Sequence, residues 1–380
     1  MAELNAIILG GGLNALGVVR ALAAHGVRCA VVSHEGHGPA LHSRHALQTL
    51  KSGGLPEPSH LVSKLGVRNG QCALFLTEEN DVSAITVQAD RWNTCFRTYL
   101  FRPDLAHRLL SKTECDQLAT KHGAPAPKTI TVTADTDHER LNTLRLPCVL
   151  KPALRNDAYS LRFSKAYRID SHSELRKLLE QMREIPVPMI IQEWIEGEDS
   201  DIYFNLLYIG RSGKLLRSFV GRKTLCWPPA VGGTAACIAA PEHHAELTLI
   251  SQRFLGSMDF RGLIGIEYKR DARDGAFYLI EPTVYRTDYQ HEIAALNGSD
   301  WLYAAYLDMM QYDVPSEKPY SRSRSWIDYP AARYSRQMAP PNIDHTRNCI
   351  PTDAYFRISD PLPGLMHYGR LLWTRISAHP

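Results

Sequence analysis

Short apolar runs alternate with amphipathic stretches from the start of the chain. Residues 6–9 (Ala-Ile-Ile-Leu) form a compact apolar run, followed by Gly10-Gly11-Gly12. Apolar positions then recur at helical spacing over residues 13–25. Gly26 is placed to stop that helix, and residues 28–32 return to a strand-like run. Strand, glycine turn and helix in this order predict a βαβ opening with parallel strands. The alternation continues with a strand at 72–77, a helix over 79–92 and a strand near 98–101. Residues 1–108 thus read as an open α/β domain.

The pattern then changes. A helix over 112–122 is stopped by Gly123, and Pro125 and Pro127 lead into a strand at 129–132. Strands at 148–151 and 189–193 flank a helix at 173–182, which makes residues 109–196 a small α+β module. Residues 197–310 are mainly strands: 202–209, 215–222, 263–269 and 277–281 read as antiparallel, with a helix over 242–258 among them. Asp271-Ala272-Arg273-Asp274-Gly275 is a tight connection with Gly275 supplying the turn. Residues 311–380 form a C-terminal extension rich in Pro, Arg and aromatics; helices are expected near 301–310 and 365–377.

Composition narrows the class. A chain of 380 residues suits two or three domains, and 44% hydrophobic with 22% charged residues is the balance of a globular protein. A formal charge of +3 offers no basic stripe for nucleic acid. No run of ~18 apolar residues is present, so no membrane insertion is expected. Residues 4–24 are apolar, but Glu3, the three glycines and Arg20 favour mature structure over a secretory signal. The eight cysteines contain no CxxC pair and read as reduced, buried thiols of a cytoplasmic protein. His34, His37, His42 and His45 fall in a Gly- and Ser-rich stretch and read as a solvated loop.

Four features in order carry chemistry. Lys112 opens a helix; Lys151 ends a strand in Cys-Val-Leu-Lys-Pro; Gln192-Glu193-Trp194-Ile195-Glu196-Gly197-Glu198-Asp199 leaves another strand. Glu267 and Glu281 lie on neighbouring strands joined by the tight turn. Two lysines can hold α- and β-phosphates as point charges. The backbone of Glu193-Trp194-Ile195 can meet an adenine edge, and Asp199 can accept from ribose hydroxyls. Two carboxylates facing phosphate oxygens suit Mg2+, a hard ion that keeps several waters. Arg222-Lys223, close to Gly232-Gly233, can meet a γ-phosphate or a substrate carboxylate.

On these residues the sequence resembles the ATP-grasp superfamily, and within it the carboxylate–amine ligase branch that includes D-aspartate ligase-like proteins. The resemblance implies an ATP-grasp fold preceded by an α/β pre-ATP-grasp domain that holds Gly10-Gly11-Gly12 and Asn14. It implies ATP contacts from Lys112, Lys151, Gln192, Glu193, Trp194, Ile195 and Asp199, and metal contacts from Glu267 and Glu281. Where the superfamily's second metal strand reads Glu-x-Asn-x-Arg, this chain reads Glu281-Pro-Thr283-Val-Tyr285-Arg286. Thr283 therefore stands in the place of a metal-ligand Asn, and Arg286 is displaced by one position. The segment after Lys151, usually glycine-rich, has no glycine from Ala153 to Ser160.

The expected activity is an ATP- and Mg2+-dependent ligation of a small carboxylate to an amine through an acyl phosphate, with Mn2+ as an alternative ion and Arg222 and Arg286 stabilising developing charge. A homodimer is the expected assembly. Two alternatives remain open on the residues alone. One is a nucleotide-binding module without catalysis. The other is an NAD-linked dehydrogenase through Gly10 and Gly12, although Ala15 leaves GxGxxG incomplete.

Overall fold

The computed structural model describes residues 3–132, 141–152, 166–181, 189–339 and 341–377, with the backbone alone for 375–377. The glycine-free segment after Lys151 falls outside the described residues.

Strands β1 (Ala6–Leu9) and β2 (Cys29–Ser33) are buried along their whole length, as continuous apolar runs in a parallel sheet are. With β3 (Ala46–Lys51) and β4 (Ala73–Leu76) they form a parallel sheet in the order β3-β2-β1-β4. The crossover helix Leu13–Ala23 is followed by Gly26 at φ 77, a left-handed position that glycine takes without steric cost. The helix expected over 79–92 is instead two helices, Glu79–Thr86 and Ala89–Cys95, interrupted at Gln88. Residues 98–101 form no strand; beside them Arg97 makes a lone parallel bridge to Ala73. Strand β3 lies at the sheet edge and alternates half-buried with exposed positions, so its apolar signal is weak.

The next sheet contains β5 (Thr129–Val132), β6 (Cys148–Pro152), β7 (Tyr167–Ile169) and β8 (Met189–Glu193) in the antiparallel order β5-β8-β6-β7. It has a core of its own around Cys148, Leu150, Ile169, Leu175 and Ile191. The third sheet has seven strands: β9 (Ile202–Ile209), β10 (Leu215–Trp227), β11 (Gly233–Ala239), β12 (Gly262–Arg270), β13 (Phe277–Val284), β14 (Arg324–Ile327) and β15 (Ile350–Asp353), in the order β13-β12-β9-β10-β11-β14-β15. The C-terminal extension therefore completes this sheet with two strands, parallel to each other.

The first and third sheets share one continuous core. Tyr285 stacks on Phe260 at 5.2 Å and on Tyr99 at 6.4 Å between centroids. Asn14 staples the seam: its amide donates to the carbonyls of Thr77 at 2.8 Å and Thr287 at 2.6 Å, and its oxygen accepts from the Thr287 hydroxyl at 2.5 Å. All eight cysteines are buried free thiols. No helix among the described residues is long and apolar enough to cross a membrane.

Candidate functional site

Local rules place each side chain. Ser111 caps the helix Lys112–Lys121 by accepting from the Glu114 amide, which sets Lys112 in the first helical turn, where backbone N–H groups and the helix dipole favour anions. Lys151 leaves β6 and donates to Gln192 Oε1 at 2.9 Å; Gln192 in turn donates to Thr129 Oγ1 at 2.9 Å. Glu281 lies on β13 directly opposite Glu267 on β12, and opposed residues of an antiparallel pair share a face. Lys112, Asp116, Lys151, Gln192 and Glu281 line one cavity, with Leu110 and Cys115 on its apolar side. The structure thus brings both lysines, the start of the 192–199 segment and one carboxylate to a single crevice, with the second carboxylate across the strand pair.

The large sheet has two dissimilar faces. Asn205 on β9 and Tyr268 on β12 bond Ser251 of the helix His244–Gly256, so that helix covers one face. Phe204, Glu267 and Glu281 are cross-strand neighbours in one row on the opposite face, and Gly221 continues the row. A Cβ at Gly221 would stand 2.1 Å from the Phe204 ring, so only glycine leaves that ring room.

This row corrects one expectation. Arg222 follows Gly221 and points to the helix side, over the Tyr203 ring at 5.1 Å and toward Asp201 at 3.8 Å; it also donates to the Ser200 carbonyl. Lys223 faces the carboxylates instead, its Nζ 2.5 Å from Glu267 Oε2 and its side chain 5% exposed. Burial works against this ammonium, but Glu267 beside it holds the Lys223 pKa above its ordinary value. Burial also raises the Glu267 carboxyl, Lys223 pulls it back, and Glu281 and Asp288 add negative charge.

Asp199, expected to meet ribose, accepts from the amides of Cys226 and Ala230, both at 2.8 Å, and so fixes the end of β10. The Trp194 ring, in a segment expected to contact ATP, is covered by cations, with Lys269 Nζ at 5.0 Å and the Arg168 guanidinium at 5.3 Å. Its backbone is also committed: N–H to the Pro147 carbonyl at 3.0 Å, and C=O from Arg273 at 3.1 Å. Glu193 donates its N–H to Lys128 and accepts the Arg145 amide on its side chain, each at 3.0 Å. The Ile195 N–H has no hydrogen-bond partner among the described residues.

Thr283 lies two residues beyond Glu281 on the same strand face and pairs with Gly265. Arg286 follows Tyr285, whose φ of 53 turns the chain; its guanidinium is held by Glu79 at 3.3 Å and bonds the Thr287 carbonyl at 3.1 Å. Glu79 itself lines the cavity, so Arg286 is bonded to one of its lining residues. Among the described residues no three His, Cys, Asp or Glu side chains converge on one point. A divalent ion would rest on Glu267, Glu281 and Thr283, all oxygen donors and a fit for a hard cation, with the Lys223 ammonium already against one oxygen.

Sequence reasoning missed Asp116, Glu79 and the choice of Lys223. Asp116 stands four residues after Lys112, one helical turn on, a spacing that could have placed both on one face. Its Oδ2 is buried without a partner among the described residues. Burial raises the carboxyl, while Thr129, Lys151 and Lys112 pull it down. The tight glycines of the first domain have a packing explanation: a Cβ at Gly11 would stand 2.5 Å from the His37 carbonyl and 2.6 Å from the Ser33 hydroxyl.

No family model matches the chain. It is similar to D-aspartate ligase of Enterococcus faecium (strain Aus0004), 24% identical over an alignment of 186 residues that covers 47% of this chain and 44% of that protein. The chain thus spans about half the length of the curated relative it matches. Among solved structures, N5-carboxyaminoimidazole synthetase from Staphylococcus aureus, complexed with ADP, superposes with TM-score 0.64 at 12% identity, over 85% of this chain and 82% of that one. Biotin carboxylase from Campylobacter jejuni, in a β,γ-ATP complex, gives TM-score 0.63 at 15% identity, over 85% and 74%. The chain therefore has the ATP-grasp fold, a mixed α/β architecture.

Proposed function

We propose that the protein is an ATP-dependent carboxylate–amine ligase. The observation that carries this reading is the convergence of Lys112, Lys151, Gln192 and Glu281 on one cavity, with Glu267 directly across the strand pair. D-aspartate ligase similarity supports the class of chemistry, and the ATP-grasp fold supports the nucleotide.

In this reading the two lysines and the helix start at Lys112 neutralise the phosphates, and the Ile195 N–H, without a partner among the described residues, meets the adenine edge. The Asp199 carboxylate serves the ribose. Glu267, Glu281 and Thr283 would hold Mg2+, which when bound would draw charge from the transferring phosphoryl group. Lys223 lies on the same sheet face and stabilises charge there, the role first expected of Arg222. Arg286 orients Glu79 at the cavity wall. A carboxylate oxygen takes the γ-phosphoryl group and ADP leaves. An amine then attacks the acyl carbon, phosphate departs and the amine's proton passes to solvent. Positioning and charge neutralisation supply the rate, with no protein nucleophile.

ADP release measured across amino acids and small carboxylates tests the proposal. The expected result is acid- and amine-dependent ADP formation by the native chain, lost in Glu281→Gln while its melting curve is unchanged. Full ADP formation by that variant would overturn the assignment of Glu281. A second reading, nucleotide binding without turnover, is favoured by the ammonium of Lys223 against Glu267 and by Thr283 in the Asn position. It predicts calorimetric ATP uptake with no ADP from any acid.

A further inference from the structure

The helix Leu362–Ser377 is fastened to the body along one face only. Gly364 lies against Phe356, where a Cβ would stand 2.6 Å from that residue's own Cβ. His367 stacks on Tyr355 at 3.5 Å between centroids, and the Tyr368 hydroxyl donates to Asp353 at 2.5 Å. The outward positions are apolar: Leu362, Leu365, Met366, Leu372 and Trp373 are 49, 59, 38, 61 and 71% exposed. At about 100° per residue these five fall within an arc of about 120°, so they form one continuous stripe. The segment leading into the helix adds Ile358, 92% exposed.

Charge decides what fits this stripe. Residues 361–380 contain Arg370 and Arg375 and no Asp or Glu. Arg370 is exposed at the margin of the stripe. The nearest acids on the body side are engaged: Asp360 pairs with Arg20 at 3.0 Å, and Asp353 accepts the Tyr368 hydroxyl and the amides of Tyr355 and Phe356. Two copies packed through this stripe would set cationic helix against cationic helix with no acid in either to pair. An anionic lipid surface offers the complementary charge, a headgroup zone for Trp373 and acyl chains for the leucines. The 16-residue helix is too short to span a bilayer, and its inner face is already bonded, so it lies on the surface.

We propose that the Leu362–Ser377 helix docks this protein on anionic lipid bilayers, with the leucines, Met366 and Trp373 in the interface and Arg370 at the headgroups. The test is co-sedimentation of the full chain with phosphatidylcholine vesicles and with vesicles containing about 30% phosphatidylglycerol, at low and high salt. Expected is binding to the anionic vesicles at least about tenfold above the neutral ones, reduced by salt. Leu365→Glu with Trp373→Glu should abolish it without moving the melting curve, since both side chains are exposed. Arg370→Glu, which keeps the apolar stripe, should lower binding to the anionic vesicles only. Absence of native-chain binding to anionic vesicles overturns the proposal, as does undiminished binding by the double variant. So does a dimer, seen by light scattering and dissolved by the double variant, with no lipid binding, which would assign the face to a second copy.

Discussion

Lys223→Met isolates the most consequential contact of the site. It removes an ammonium 2.5 Å from Glu267 Oε2 and leaves that carboxylate facing Glu281 across the strand pair. At an effective dielectric near 20, opposite charges at that separation attract by roughly 6–7 kcal/mol, most of it offset by the cost of burying both ions. Removing one partner leaves the other buried and uncompensated, which costs about 3–5 kcal/mol. Glu267 is 24% exposed, so water recovers part of this and the lower end, about 3 kcal/mol, is expected. The assay is equilibrium urea denaturation of the native chain, Lys223→Met and Lys223→Met/Glu267→Gln, each with and without Mg2+. The single variant should lose about 3 kcal/mol, and the double variant should regain most of it, since no buried charge then lacks a partner. Mg2+ should stabilise the single variant more than the native chain, because the ion then meets two carboxylates with no competing ammonium. A loss below about 1 kcal/mol, or a double variant no more stable than the single one, would refute the reasoning.

Two further tests concern burial. Because burial raises the Asp116 pKa in the folded state, its contribution to stability is full below the ordinary carboxyl range and falls as pH rises through the raised value. Asp116→Asn should therefore stabilise the protein more at pH about 7.5 than at about 4.5 in urea denaturation, and an equal gap at both would count against a desolvated carboxylate. Gly17→Ala would set a Cβ 2.8 Å from His291 Cε1 and 3.2 Å from Glu292 Cβ, in a fully packed seam. It should cost about 1–3 kcal/mol by thermal or urea unfolding, and a neutral result would mean the helix Leu13–Ala23 can shift freely there.

Much of the fold and part of the site were legible along the chain, for local reasons. Continuous apolar runs marked β1, β2 and β9; Gly26, Gly123 and Gly275 marked stops and a turn, each observed at positive φ. The order of Lys112, Lys151, the 192–199 segment and the two glutamates was likewise visible. Strands β3, β14 and β15 were not: β14 is four residues, too short to show a period, held between β11 and β15, both distant along the chain, and the edge strands β3 and β15 are partly exposed, which erases their apolar period.

The choice between Arg222 and Lys223 shows where reading along the chain stops. Alternation says that adjacent strand residues face opposite ways, but not which way is inward. That was decided by the register of β10 on β9 and of β9 on β12, which aligns Gly221 with Phe204 and Phe204 with Glu267. In the same way Asp199 has the right residue type for a sugar, but where its carboxylate stands was set by the amides of Cys226 and Ala230, which the fold brings to it from the end of β10. The sequence by itself determined the kinds of element and the stock of charged groups, since these follow from local period and residue chemistry. Tertiary structure alone decided which charges meet, since pairing across strands depends on register between segments that share no local signal.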